Sequence, residues 1–346
     1  MLFTTYWIIF DSNFMKKIKR TSLQDIANTI GITKMTVSRY LKDESLVAEP
    51  LRKKIKETIA TLGYIPNRGP SILSKGKSQA IGVLFPSISN NIFEEVLSGI
   101  ESVTESANYQ IMITHYAYSK ELEEKRIASL LAFHVDGLIL SESTHTDNTL
   151  RMIESSGVPV IEIMDTKTQP IHQAVGFDNS KAANDMTSLL LNKGYKNIAY
   201  VGAKGDLRDQ LRQQGYEDAI HQSGLSSYVF RSPQFSSIKL GTEILDDILK
   251  VTPKIDAVIC TNDDVAVGIL LSCKKRNLKV PQDIAITGMH GHDMGQLMSP
   301  SLTSVVTPRF KIGEVAATQL LSRINGEVEF ELFIDLGYEI DEGHSA

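Results

Sequence analysis

Two cysteines in 346 residues, Cys260 and Cys273, cannot build a disulfide framework, and their spacing matches no metal-binding pattern. Cys260 ends an apolar run and reads as a small buried hydrophobe, which fits a reducing cytosol and an expected cytoplasmic location. Long apolar runs are missing as well. Residues 4–10 are apolar and aromatic but fall far short of the ~20 residues that a spanning helix needs, so no membrane partner is expected. They carry no basic leader and no small-residue cleavage site, which makes them a poor signal peptide. Residues 1–14 are therefore expected to be a disordered extension or a stretch upstream of the true start at Met15. The chain also lacks a G-x-G-x-x-G after a strand, a Walker glycine-lysine loop and a G-x-S-x-G elbow; Gly202-Ala203-Lys204-Gly205 has no third glycine. No enzyme and no cofactor are expected. His290 and His292 stand two apart with no other His or Cys in register, so no metal is expected either.

An overall excess of positive charge is missing too: the net charge is −5, which by itself argues against a nucleic-acid binder. Its distribution argues the other way. Residues 15–77 hold 14 Lys and Arg against 5 Asp and Glu, a net +9 that leaves −14 for the rest. A basic head on an acidic body steers one face toward phosphates.

That head begins Ser22-Leu23-Gln24-Asp25-Ile26-Ala27-Asn28-Thr29-Ile30-Gly31-Ile32-Thr33-Lys34-Met35-Thr36-Val37-Ser38-Arg39-Tyr40-Leu41. Ser22 and Asp25 make a capping box for a first helix, whose Leu23, Ile26, Ala27 and Ile30 share an inward face. Gly31 supplies a tight turn, and Thr33 caps a second helix with Val37 and Leu41 inward and Lys34, Met35, Ser38 and Arg39 outward. This is a helix-turn-helix with a recognition helix shaped for the DNA major groove. A third amphipathic helix is expected over 50–62.

The core Asp25-Ile26-Ala27 through Thr36-Val37-Ser38-Arg39, followed by Tyr64-Ile65-Pro66-Asn67 at matching spacing, resembles the lac-repressor family of bacterial transcription regulators, over nearly the whole chain. The resemblance implies an α/β protein with an N-terminal helix-turn-helix headpiece and two doubly wound parallel-sheet lobes of periplasmic-binding-protein type. Its expected divisions are a DNA-binding domain at 15–66, a hinge at 67–77 and a two-lobed effector-binding and dimerisation domain at 78–346. Thr33, Lys34, Met35, Thr36, Ser38, Arg39 and Asn67 are the expected DNA contacts. Lys34, Met35 and Arg39 read bases, and Thr33, Thr36 and Ser38 bond phosphates or set the helix. In the family the hinge folds on operator DNA and wedges a leucine into the minor groove, and Leu73 stands at that position. Gly69-Pro70 departs from the usual Val-Ala; proline suits a first helical turn, while glycine raises the ordering cost by up to ~1 kcal/mol. The family reads a palindrome as a homodimer. No leucine heptads follow Asn325, so a tetramerising tail is not expected.

Past Ala80 the sequence alternates short apolar runs and helical stretches on its own account. Strands are expected at 80–85, 110–114, 137–140 and 159–163, then at 198–202, 257–260 and 284–288, with a last one at 329–334. Intervening helices are expected at 92–108, 120–133, 146–156, 207–223, 238–251 and 263–276. Two such sets mean two lobes, and ligands in these folds bind beyond the carboxyl ends of the strands.

Carried over position by position, the resemblance places Phe93, Ser141, Arg212, Asn262 and His290 in the cleft, with Asp263 expected to cap its helix. A guanidinium at Arg212 suits a carboxylate or paired hydroxyls. Sugar-binding members commonly have Gly-Tyr/Phe-Asp-Asp where this chain has Gly288-Met289-His290-Gly291-His292-Asp293. Losing that aspartate favours an anionic ligand, and Met164-Asp165 puts another usual aspartate contact in doubt. With Ile65-Pro66-Asn67-Arg68 and Val175-Gly176-Phe177-Asp178-Asn179, the pattern is similar to the gluconate-utilisation repressor branch. The expectation is a repressor released from its operator by D-gluconate or a close sugar acid. A neutral sugar, or corepression with the opposite sign, uses the same parts, and a sugar-binding receptor without DNA output is a remote alternative.

Overall fold

The computed structural model describes residues 20–67, 69, 76–88, 91–204, 207–250, 254–327 and 329–346. The extension at 1–14 and Leu73 with most of its hinge lie outside them. The chain divides into two compact units, one up to Gly76 and one from Lys77 onward.

The first unit holds three helices, α1 (Leu23–Ile30), α2 (Lys34–Lys42) and α3 (Glu49–Leu62). The capping box forms as its spacing requires. Asp25 Oδ2 accepts the Ser22 amide at 2.8 Å, and Ser22 Oγ accepts the Asp25 amide at 3.4 Å. Gly31 ends α1 at φ +72°, a conformation that costs a side-chain-bearing residue about 1 kcal/mol or more. Thr33 caps α2 through the Thr36 amide at 3.2 Å. Ile26, Ala27, Val37, Val47, Ile55 and Tyr64 close a small core between the three helices. Each aliphatic side chain buried there contributes roughly 1.5–3 kcal/mol, which is what holds so small a unit together.

The second unit is two α/β lobes. In the N-lobe, β1 (Ala80–Phe85), β2 (Gln110–His115), β3 (Gly137–Leu140), β4 (Val160–Ile163) and β5 (Gln173–Gly176) are joined by β11 (Phe333–Asp335) in the order β11-β5-β4-β3-β1-β2. In the C-lobe, β6 (Ile198–Gly202), β7 (Tyr228–Arg231), β8 (Ala257–Cys260), β9 (Ala285–His290) and β10 (Thr303–Val306) are joined by β12 (Glu339–Asp341) in the order β12-β10-β9-β8-β6-β7. All pairings are parallel except that of β10 with β12. The central strands β1, β3, β4, β6, β8 and β9 are buried along their whole length, which is why they read as continuous apolar runs rather than alternating ones.

Helices α4 (Ile92–Thr104), α5 (Lys120–Ala132) and α6 (Asp147–Ser156) precede the first crossing between lobes, and α7 (Asn179–Asn192) follows it. Next come α8 (Leu207–Gln222), α9 (Ile238–Ile248), α10 (Asp263–Lys275) and the short α11 (Asp293–Gln296). Finally α12 (Arg309–Ile324) returns to the N-lobe, where it packs on α4. The chain thus crosses three times: β5 to α7, β10 to α12, and β11 to β12. The α4–α12 contact is glycine-mediated: a Cβ on Gly99 would overlap the Phe310 carbonyl, and one on Gly313 the Val96 carbonyl. Gly215 similarly lets α8 approach the Ser180 carbonyl of α7.

A buried ion cluster ties α5, the loop after β3 and β4 together. His145 Nδ1 lies 2.9 Å from Glu123 Oε1 and its Nε2 lies 2.8 Å from Glu162 Oε1, all three side chains being buried. Burial alone would push the imidazolium pKa down. The hydrogen bonds and charges of the two glutamates outweigh it and hold it up at about 9.

Candidate functional site

A cleft between the two lobes is lined from the N-lobe by Ile92, Phe93, Tyr118 and Met164. The C-lobe contributes Ala203, Lys204, Arg208, Asp209, Arg212, Ser236, Thr261, Asn262 and His290. The lining sits where strands β4, β6, β8 and β9 end and helices α4, α8 and α10 begin, the crevice that open parallel sheets offer to ligands.

Arg212, on α8, is buried, and three described acceptors hold its guanidinium. Nε donates to Asn179 Oδ1 at 2.9 Å, Nη1 to the Thr261 carbonyl at 2.7 Å, and Nη2 to His290 Nε2 at 3.2 Å. Asn179 in turn donates from Nδ2 to the Met164 carbonyl at 2.8 Å, so the arginine is tied through one side chain to the end of β4 in the other lobe. His290 is held neutral: burial first, and then the charge of Arg212, keep its pKa well below 6.5. It sits at φ +99°, which non-glycine residues seldom adopt and which tends to mark functional positions. Met164, also in the cleft wall, is at φ +76°.

The charge balance follows from these placements. Among the described lining residues, Lys204, Arg208 and Arg212 are cationic and Asp209 is a carboxylate. That carboxylate is engaged, with Arg231 Nη1 at 2.5 Å and the Tyr200 hydroxyl donating at 2.8 Å. At the mouth Tyr118 and Phe235 stack across the lobes, ring centroids 5.0 Å apart, and Lys204 Nζ lies 5.0 Å from the Phe235 centroid.

Of the residues expected in the cleft, Phe93, Arg212, Asn262 and His290 line it together. Ser141, directly after β3, is not among the lining residues; it donates its hydroxyl to the Leu84 carbonyl at 3.0 Å. The helix cap falls to Asn262 rather than, as expected, to Asp263. Asn262 caps α10, its Oδ1 accepting from the Val265 amide at 3.3 Å and from Ser236 Oγ at 2.7 Å. Asp263 accepts the His292 amide at 2.6 Å and the Ser304 hydroxyl at 2.7 Å. Burial lifts its pKa to about 7 against the opposing effect of those two donors. Asp165 is buried and takes the Thr168 amide at 3.0 Å, while its neighbour Met164 is the one lining the cleft. Asn179, Thr261, Lys204, Arg208 and Tyr118 were not singled out by sequence. Thr261 had a signal, standing directly after β8, which ends at the cleft.

In the first unit Lys34, Met35, Ser38 and Arg39 lie exposed on the outer face of α2, Met35 at 71% exposure, with Thr33 at its start and Thr36 half-buried. An apolar side chain left that open on a capped helix is one available for a partner. Asn67 is exposed, and its Oδ1 accepts the Gly69 amide at 3.0 Å.

Comparison with known proteins agrees with both halves. Residues 22–67 match the family described as bacterial regulatory proteins, lacI family, and residues 78–339 that of periplasmic binding proteins and sugar binding domain of LacI family. The HTH-type transcriptional regulator GntR of Escherichia coli (strain K12) is 49% identical over 96% of this chain and 100% of its own. The HTH-type transcriptional regulator IdnR of the same strain is 45% identical over 94% of this chain and 98% of its own. A LacI-family transcriptional regulator from Silicibacter pomeroyi superposes with a TM-score of 0.89 at 28% identity, covering 94% of this chain and 99% of that one. These relatives are transcriptional regulators rather than enzymes, and no described helix is long and apolar enough to cross a membrane. The chain is a member of the lacI family of bacterial regulatory proteins.

Proposed function

We propose that this protein is a cytoplasmic, dimeric repressor that leaves a palindromic operator when D-gluconate or a close sugar acid occupies the interlobe cleft. The observation that carries the reading is the charge of the cleft. Among the described residues three cationic side chains line it, Asp209 is engaged by Arg231 and Tyr200, and His290 is held neutral at the position where the resemblance to sugar-binding members implies a carboxylate. A charge-assisted bond from a positioned guanidinium is worth about 1.5–3 kcal/mol, enough to separate a sugar acid from its neutral sugar by ten- to a hundredfold. The likeness to the regulator named GntR supports the same ligand.

On the DNA side, Arg39 and Lys34 supply donors for guanine or phosphate, and Met35 an apolar contact for a thymine methyl. Thr33, Thr36, Ser38 and Asn67 set the register on the backbone, and Leu73 wedges the operator centre. Effector binding closes the cleft, rotates the lobes and separates the two hinge segments of the dimer, so that the population shifts from the DNA-bound to the released form. Titration calorimetry on the full chain tests the ligand: gluconate binding with glucose at least tenfold weaker supports it, and equal affinity for the two contradicts it.

A further inference from the structure

His290 is where the effector arginine meets the hinge between the lobes. Its Nε2 faces Arg212 Nη2 at 3.2 Å, and its Nδ1 faces Thr307 Oγ1 at 3.1 Å. Thr307 is the residue directly after β10 in the second crossing, and Phe177 of the first crossing sets its ring edge-on to the imidazole, centroids 6.4 Å apart at 82°. An arginine nitrogen can only donate, so Nε2 must accept. A neutral imidazole that accepts at Nε2 carries its proton on Nδ1, and that proton goes to the threonine oxygen. In water the neutral ring favours the opposite tautomer, with the proton on Nε2. The buried site therefore holds the less favoured form, and the hydroxyl of Thr307 is the described acceptor that fixes it.

We infer that Thr307 is a positioning residue for effector recognition: it holds His290 in the Nδ1–H tautomer, so that His290 receives Arg212 in the cleft instead of opposing it. Without the hydroxyl, a fully buried Nδ1–H has no acceptor, and the ring is relieved by moving its proton to Nε2. That move sets one N–H against another and breaks one of the described bonds that orient Arg212. Because Thr307 belongs to a crossing segment, the same bond ties the state of the cleft to the joint on which the lobes turn. The recognition part of this inference rests on the effector reading above; the tautomer part does not.

The experiment uses the full-length protein with isotopically labelled histidine, free of ligand, and reads the ring tautomers from two-bond nitrogen–proton correlations. The His290 signals are identified by their loss in His290→Gln. The expected result is Nδ1–H in the parent and in Thr307→Ser, and Nε2–H in Thr307→Val. Gluconate titrations of the same proteins are expected to give affinity at least tenfold weaker in Thr307→Val and restored in Thr307→Ser, with melting curves confirming that both variants fold. A parent His290 protonated on Nε2 overturns the inference. So does a Thr307→Val protein that keeps the parent tautomer, or one that binds gluconate as tightly as the parent. Should the parent itself not bind gluconate, the effector reading falls, and the tautomers alone decide whether Thr307 positions His290.

Discussion

Arg212 Nε donates to Asn179 Oδ1 at 2.9 Å, and Asn179 is the first residue of α7, directly after the chain leaves the N-lobe. Asn179 in turn donates to the Met164 carbonyl of the N-lobe, so the cleft arginine, which also bonds Thr261 and His290 of the C-lobe, is tied to the other lobe through one side chain. A lysine keeps the charge but not the planar fork that serves three acceptors at once. Arg212→Lys is expected to weaken gluconate binding by roughly ten- to a hundredfold, about 1.5–3 kcal/mol, while leaving operator affinity without ligand unchanged. Calorimetry and DNA-binding anisotropy on the same preparation check both halves.

The cluster of His145 with Glu123 and Glu162 gives stability a pH dependence of known sign. The imidazole pKa is held at about 9 in the folded chain, above its ordinary 6.5. The contribution is therefore fully present below pH 6.5 and is lost as pH rises through 9. Melting temperature is expected to fall between pH 7 and 9.5, by an amount corresponding to a few kcal/mol. In His145→Gln that slope disappears, and the protein is less stable at pH 7 by about 3–5 kcal/mol because two buried carboxylates lose their counter-charge. A parallel pH slope in parent and variant would place the titration elsewhere.

Gly313 on α12 abuts the Val96 carbonyl of α4 with no room for a Cβ. Gly313→Ala should force the two helices apart and lower stability by about 1–3 kcal/mol, read by thermal or urea unfolding. Gly326→Ala is the control at a glycine with open space around it, φ +92°; its effect is confined to backbone strain.

Recognition by α2 separates into two kinds of contact. Arg39→Ala is expected to lower affinity for the cognate operator by about 1–3 kcal/mol and to flatten discrimination at a guanine position. Lys34→Ala, if its role is to a phosphate, should weaken all sequences alike and reduce the salt dependence by about one unit of slope. Anisotropy over a set of operator variants at several salt concentrations distinguishes them.

The headpiece was legible almost to the residue because its signals are local: a capping box, a glycine at φ +72° and a 3.6-residue apolar period all act within one or two turns. The central strands were legible for the same reason, being short buried apolar runs. Elements whose signal is tertiary were missed. Strand β5 is only four residues, Gln173-Ala174-Val175-Gly176, buried by its place in the sheet rather than by its composition. Helix α12 was missed although its buried Ile312, Gly313, Ala316, Ala317, Leu320 and Leu321 stand at helical spacing. The expected final strand at 329–334 forms instead at Phe333–Asp335, where pairing with β5 sets the register. In the cleft, Arg212 and His290 could be placed by resemblance, whereas Asn179 and Thr307 matter only through the atoms they touch. That Asp263 does not cap α10 was not legible, because its partners, the Ser304 hydroxyl and the His292 amide, lie far along the chain.

The most direct measurement is fluorescence anisotropy of a labelled palindromic operator, taken from the DNA upstream of the gene and bound by the full-length protein, during titration with gluconate. The expected result is tight, salt-dependent binding that gluconate releases and that equal concentrations of glucose or ribose leave intact. Binding that persists unchanged at saturating gluconate would contradict the proposed effector, and absence of binding to any such DNA would contradict the proposed repressor.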